Sequence, residues 1–152
     1  MELNKLKTSE QKSVNGVWVS IDDDTDLLIG RYGNRKFQKA LNAAMAPYKQ
    51  AINRGTLSDA KSDQIMVDAL VEGILLGWKG ITLNGEELPY SKEAATKLLL
   101  DKSMRDFREL VVELSQDAQA YRDEEVAENE GKSEPSSNGT PSGESEKTSS
   151  EV

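Results

Sequence analysis

At Asn34 the hydrophobic period of this chain changes from two to that of an α-helix, and no other feature constrains the fold as much. Before that point, Val14-Asn15-Gly16-Val17-Trp18-Val19-Ser20-Ile21 is rich in β-branched and aromatic residues. Its alternation puts Val17, Val19 and Ile21 on one face of a strand. Asp22-Asp23-Asp24-Thr25-Asp26 is turn chemistry, because short Asx side chains bond their own backbone. Leu27-Leu28-Ile29-Gly30-Arg31-Tyr32 then reads as a second strand, and the two form a β-hairpin. A lone hairpin is marginal in water, so it must pack on the rest of the chain.

From Asn34 onward the pattern is helical. Asn34 is a good N-cap, and Phe37, Ala40, Leu41, Ala44, Met45 and Tyr48 recur at helical spacing as one apolar stripe. Pro47 removes an amide donor, so a kink or break is expected near Ala46. Gly55 closes this segment. Thr56 and Asp59 have capping-box spacing, with Ser58 as an alternative start for a helix running to about Gly77. Its buried side is expected to carry Ile65, Met66, Ala69, Leu70, Gly73, Ile74 and Gly77, the two glycines serving a close helix crossing and a C-terminal stop. Residues 78–90 form a turn-rich connection in which Asn84-Gly85 is a strong turn signal. Ser91 caps a short helix containing Ala94, Ala95, Leu98 and Leu99. Ser103 and Asp106 open a last helix whose stripe runs Met104, Phe107, Leu110, Val111, Leu114, Ala118, Tyr121.

The expected fold is therefore α+β and mainly α: an N-terminal β-hairpin followed by a four- to five-helix domain at residues 14–122. Leu41, Leu70, Ile74, Phe107, Leu110 and Leu114 are expected in the core. Residues 1–13 are polar and mixed in charge, and read as a flexible leader in preference to a short extra helix. Residues 123–152 hold nine acids and two bases, a net of −7, whereas residues 1–122 hold 18 acids and 17 bases, a net of −1. With only Val126, Ala127 and Val152 apolar, that acidic, Ser/Gly/Pro-rich tail cannot bury enough surface to offset its ordering entropy and is expected to be disordered.

Composition narrows the chemistry. The first 30 residues contain no apolar run of signal-peptide length, and Ile74-Leu75-Leu76 is too short to span a bilayer. Without Cys there is no disulfide, thiolate metal site or Cys nucleophile; without His the commonest general base and transition-metal ligand are missing. An acidic chain without a strong basic cluster is a poor nucleic-acid binder. Asp22, Asp24 and Asp26 imitate the first ligands of a calcium loop, but Leu27 stands where that loop needs Gly and Gly33 where it needs Glu. Gly30 and Gly33 lack the third glycine of a dinucleotide loop. Arg35, Lys36 and Lys39 lie at a helix start, against the dipole preference, and read first as a solvated face. Trp18 and Trp78 border expected elements and are assigned to packing before interface. These observations lead to a soluble, cytoplasmic, non-catalytic protein with no metal or cofactor.

Two stretches are more specific. LLIGRYGNRKFQKAL, residues 27–41, and GWKGITLNGEELPYSKEAATKLLLD, residues 77–101, each resemble a stretch of the tail assembly chaperones of long-tailed bacteriophages. Those families show a hairpin ending in an Arg-aromatic-Gly/Asn-x-x-Phe-like segment, and a Trp-x-Gly, Gly-x-x-x-Pro-aromatic-Ser/Thr connection into an Ala/Leu-rich helix. Arg31, Tyr32, Asn34, Phe37, Trp78, Gly80, Pro89 and Tyr90 match that pattern. The resemblance implies a chaperone that binds the tape-measure protein, keeps it soluble, helps recruit the tail-tube protein and is absent from the mature virion. It implies a homo-oligomer in the cytoplasm of the infected host, with partner contacts at Trp78, Tyr90, Arg31 and Tyr32 and no binding to nucleic acid or membrane. Such families are often made in two lengths by frameshifting, and the acidic tail would be the unshifted end. The alternative is a small structural virion component, a head–tail connector or tail-completion protein.

If the acidic tail contributes no buried surface, truncation after Arg122 leaves the thermal midpoint within a few degrees of the full chain. A loss of more than about 10 °C in a calorimetric scan would show that the tail packs on the domain.

Overall fold

The computed structural model describes residues 1–124, and the acidic tail expected at 123–152 lies almost wholly outside them. The described residues fall into two units, Glu10–Tyr121 and a smaller one of Met1–Ser9 with residues 122–124. In the smaller unit Leu3–Leu6 forms a 3-10 turn, Thr8 bridges Arg122, and the Arg122 guanidinium donates to Leu6 O at 3.0 Å.

The larger unit is α+β and mainly helical. It begins with helix α1 at Glu10–Asn15, which corrects the expectation that residues 10–13 belong to a loose leader. Ser13 and Val14 on this helix are buried. Six residues give too few apolar positions to set a period, so tertiary burial decides the helix. Strands β1 (Val17–Ser20) and β2 (Asp26–Ile29) form the expected hairpin, with Val17 opposite Ile29 and Val19 opposite Leu27. Asp22 Oδ1 accepts from Asp24 N–H at 2.9 Å, which is the Asx turn the sequence calls for.

Helix α2 (Arg35–Met45) follows Asn34, whose Oδ1 accepts from Phe37 N–H at 2.9 Å. Its stripe points inward as expected, with Phe37 fully buried and Ala40, Leu41, Ala44 and Met45 half-buried. At Pro47 the helix gives way to a 3-10 turn, Ala46–Tyr48, and then to α3 (Lys49–Arg54), which ends on the left-handed Gly55. Ser58, not Thr56, caps α4 (Asp59–Gly73). This helix is enclosed by α2, α5 (Lys92–Leu100) and strand β3 (Leu75–Lys79), so Val67 and Val71 are buried beside the expected Ile65, Ala69 and Leu70.

Helix α4 stops at Gly73 rather than near Gly77. Leu75–Lys79 is strand β3, antiparallel to β2, so the hairpin is one part of a three-stranded sheet ordered β1-β2-β3. Apolar runs this short fit helix or strand equally well, and the free edge of β2 decides. Gly73 still serves a close helix crossing, because a Cβ there would lie 2.5 Å from Phe37 N. Gly77 instead faces Leu28 across the sheet. Leu27, Ile29, Leu75 and Trp78 face the helices, while Trp18 on the opposite sheet face is 49% exposed, with Lys79 Nζ 4.1 Å from its ring centre.

Helix α6 (Arg105–Ser115) ends before Tyr121 and is not capped by Ser103. Asp101 bonds Ser103 N–H and caps a 3-10 turn, Lys102–Met104, that precedes the helix. Leu70 and Ile74 are core as expected. Leu41, Phe107, Leu110 and Leu114 are only half-buried, because among the described residues no further element covers the outer flanks of α2 and α6, while Val111 and Ser115 take the buried positions. Tyr121 is fully buried; its hydroxyl donates to Ile29 O at 2.9 Å, and burial first, then the negative Asp117, pushes its pKa up to about 12.

Asn34 joins three elements. Its Nδ2 donates to Ser13 O and to Gly73 O, each at 2.9 Å, while its Oδ1 caps α2. Asn34→Ala should cost about 2–4 kcal/mol, from a lost cap, a Gly73 carbonyl left without its donor and a Ser13 carbonyl left with only the Arg31 N–H. Asn34→Asp keeps the cap but turns an acceptor toward those carbonyls, so urea denaturation should find it no more stable than the Ala variant. Wild-type stability in Asn34→Asp would show that the two carbonyl bonds are dispensable.

Candidate docking groove

Connection 78–90, expected only to turn, contains a second hairpin. Strands β4 (Thr82–Leu83) and β5 (Glu86–Glu87) flank Asn84 and Gly85, whose φ values of 54° and 82° are the left-handed pair of a two-residue hairpin turn. Leu88 N–H continues the pairing by donating to Ile81 O at 2.8 Å.

Two aromatic residues fasten this hairpin to the sheet. The Trp78 indole N–H donates to Leu88 O at 2.7 Å, and the Tyr90 hydroxyl donates to Leu75 O at 2.8 Å. Their rings meet edge to face with centroids 4.9 Å apart. Burial, helped by the Glu72 charge, raises the Tyr90 pKa. On the other side, Gly80 passes so close to the β1–β2 turn that a Cβ would fall 1.7 Å from Asp24 O, and its φ of 79° also favours glycine.

Between the two hairpins and helices α5 and α6 lies an open apolar groove of about 290 Å³. Ile21 and Leu27 come from the first hairpin, Ile81, Leu83 and Leu88 from the second, and Leu98, Met104, Phe107 and Leu110 from the helical side. Leu83, Leu88 and Leu98 also line a smaller extension bordered by Ser91, Glu93, Ala94 and Lys97. Ile21 and Leu83 are 38% and 40% exposed. Apart from Thr25, Gly80 and Thr82 the lining is apolar, and such a surface can accept apolar side chains from a partner.

The four expected contact residues do not line this groove. Trp78 and Tyr90 are brought together beneath it, where Trp78 is 6% exposed and its ring faces the protein interior. Tyr32, 37% exposed, packs its ring against that of Phe37 with centroids 4.8 Å apart. Arg31 donates its N–H to Ser13 O and holds its guanidinium 5.9 Å from the centre of the Tyr121 ring. Both belong to the junction between β2 and α2, away from the groove lining. The lining residues missed by sequence reasoning had one signal, the apolar Ile81, Leu83 and Leu88 in an otherwise polar connection.

Residues 32–132 match the family model described as YdaY prophage protein. The chain belongs to the YdaY prophage protein family. It is thus phage-derived, and the YdaY match takes in α2 through α6 and every groove residue from Gly80 to Leu110. No curated protein and no solved structure matches the chain.

Trp78→Phe keeps most of the buried ring but leaves Leu88 O without its donor. It should cost about 1–3 kcal/mol in chemical denaturation and speed hydrogen exchange across Ile81–Leu88. Unchanged exchange there would mean that the hairpin is held by other contacts.

Proposed function

We propose that this YdaY-family protein is a phage tail assembly chaperone that binds the tape-measure protein, keeps it soluble and assists assembly of the tail tube. The observation that carries the reading is the open apolar groove built around hairpin β4–β5. That hairpin lies inside the stretch, residues 77–101, that resembles the tail assembly chaperones. A tape-measure protein is long and largely helical, and an apolar groove suits the exposed face of an amphipathic helix. Contacts of this kind are modest in area and releasable, as a factor that leaves before the virion is complete requires. The absence of His and Cys from the sequence agrees with a binding role rather than catalysis.

In this reading the protein acts as a homo-oligomer in the cytoplasm of the infected host, with the tail-tube protein as a second, later partner. Co-expression tests it. The tape-measure protein of the same phage should be insoluble alone, soluble with this protein and recovered in complex with it. Leu83→Asp, at an exposed groove position, should leave the fold intact by circular dichroism and return the tape-measure protein to the pellet. If that protein is equally soluble alone, or if this chain stays in purified virions at fixed stoichiometry, the chaperone reading fails and a structural virion component replaces it.

A further inference from the structure

We infer that the groove selects helices by charge as well as by apolarity: its occupant is an amphipathic helix whose apolar row is flanked by Lys or Arg. This rests on the docking reading above and adds the chemistry of the partner. The groove lining itself carries no charged side chain. Its rim is acidic on both hairpins and on the helical side. Asp22, Asp23 and Asp24, all exposed, stand between the lining residues Ile21 and Thr25. Glu86 and Glu87, also exposed, lie opposite the lining residues Leu83 and Thr82 in the β4–β5 register, Glu86 on the Leu83 face of the hairpin and Glu87 on the Thr82 face. Met104 of the preceding 3-10 turn and Phe107 and Leu110 of α6 form the row that lines the groove, and exposed Asp106 lies on the side of Phe107 away from buried Val111.

Among the described residues, four acids elsewhere on the surface are neutralised by a neighbouring cation, and the rim carboxylates are not. Glu10, Asp63, Glu72 and Glu109 are each paired with a Lys or Arg. Among the described residues, none of the six rim carboxylates is held in an ion pair. The turn geometry also favours ionisation of one of them, since the Asp24 N–H bond to Asp22 holds that carboxyl below the usual range. A row of like charges around an apolar floor repels a helix with acidic flanks and draws in one with basic flanks. Lys97, in the extension, lies beside Glu93 and leaves the balance negative.

Two synthetic amphipathic peptides with the same leucine row, one flanked by Lys and one by Glu, test this by fluorescence anisotropy against the full chain. The Lys peptide should bind on the order of tenfold more tightly at low ionic strength, with the advantage shrinking as salt is added. The triple variant Asp23→Lys/Glu86→Lys/Glu87→Lys, all exposed positions, should reverse the preference while leaving the unfolding curve in place. Equal binding of both peptides, with both lost in Leu83→Asp, would overturn the charge selection and leave the docking groove standing. Binding of neither, or binding that survives Leu83→Asp, would overturn the docking reading and this inference with it.

Discussion

The larger unit is organised around one buried side-chain amide. Asn34 satisfies the first turn of α2 with its oxygen, and with its nitrogen it closes the carbonyls at the ends of α1 and α4. Around it the backbones come unusually near one another. A Cβ on Gly30 would lie 2.1 Å from Gly73 O, and Gly30 N–H donates to Ile74 O at 2.8 Å. The next two amides leave in other directions, Arg31 to Ser13 O and Tyr32 to Ser115 O. Five elements thus share one knot of polar backbone in which every bond replaces water that burial has removed. The direction of the sheet relative to α4, and so the place of β3 beside β2, depends on that knot.

This explains the uneven legibility of the sequence. Caps and breakers act locally, so Asn34, Pro47, Gly55 and Ser91 could be read from a few neighbours. The α2 stripe was legible because one face meets the core and the other meets solvent. Strand β3 was not, since Leu75-Leu76-Gly77-Trp78 pairs with residues some fifty positions earlier and carries no alternation of its own. A bulge beside Leu76 shifts its register as well, which blurs any period-two signal. Helix α4 lacked a clear polar side because it is packed against neighbours on most of its surface.

The groove was illegible for a related reason. Its lining is drawn from Ile21 through Leu110, so no window of sequence contains it. The stretches resembling tail assembly chaperones led instead to residues that frame it. Trp78, Gly80 and Tyr90 hold one hairpin at a set height above the sheet and against the turn of the other. A motif can therefore mark the frame of a binding surface while the surface itself varies with the partner. The YdaY family match covers that frame and most of the lining together.

Among the described residues the sheet has an open side, whose handling bears on how the protein behaves when it is abundant. Strand β1 is an edge strand, and an exposed edge beside a large aromatic ring invites a second chain to add on. Here the edge is four residues long, it runs into the three aspartates of the turn, and its Trp18 is covered by the Lys79 ammonium. An incoming strand would have to strip a cation from the ring and draw close to clustered negative charge. Fibril growth along this edge is thereby opposed by the turn aspartates of the hairpin and by a lysine on β3, two strands away.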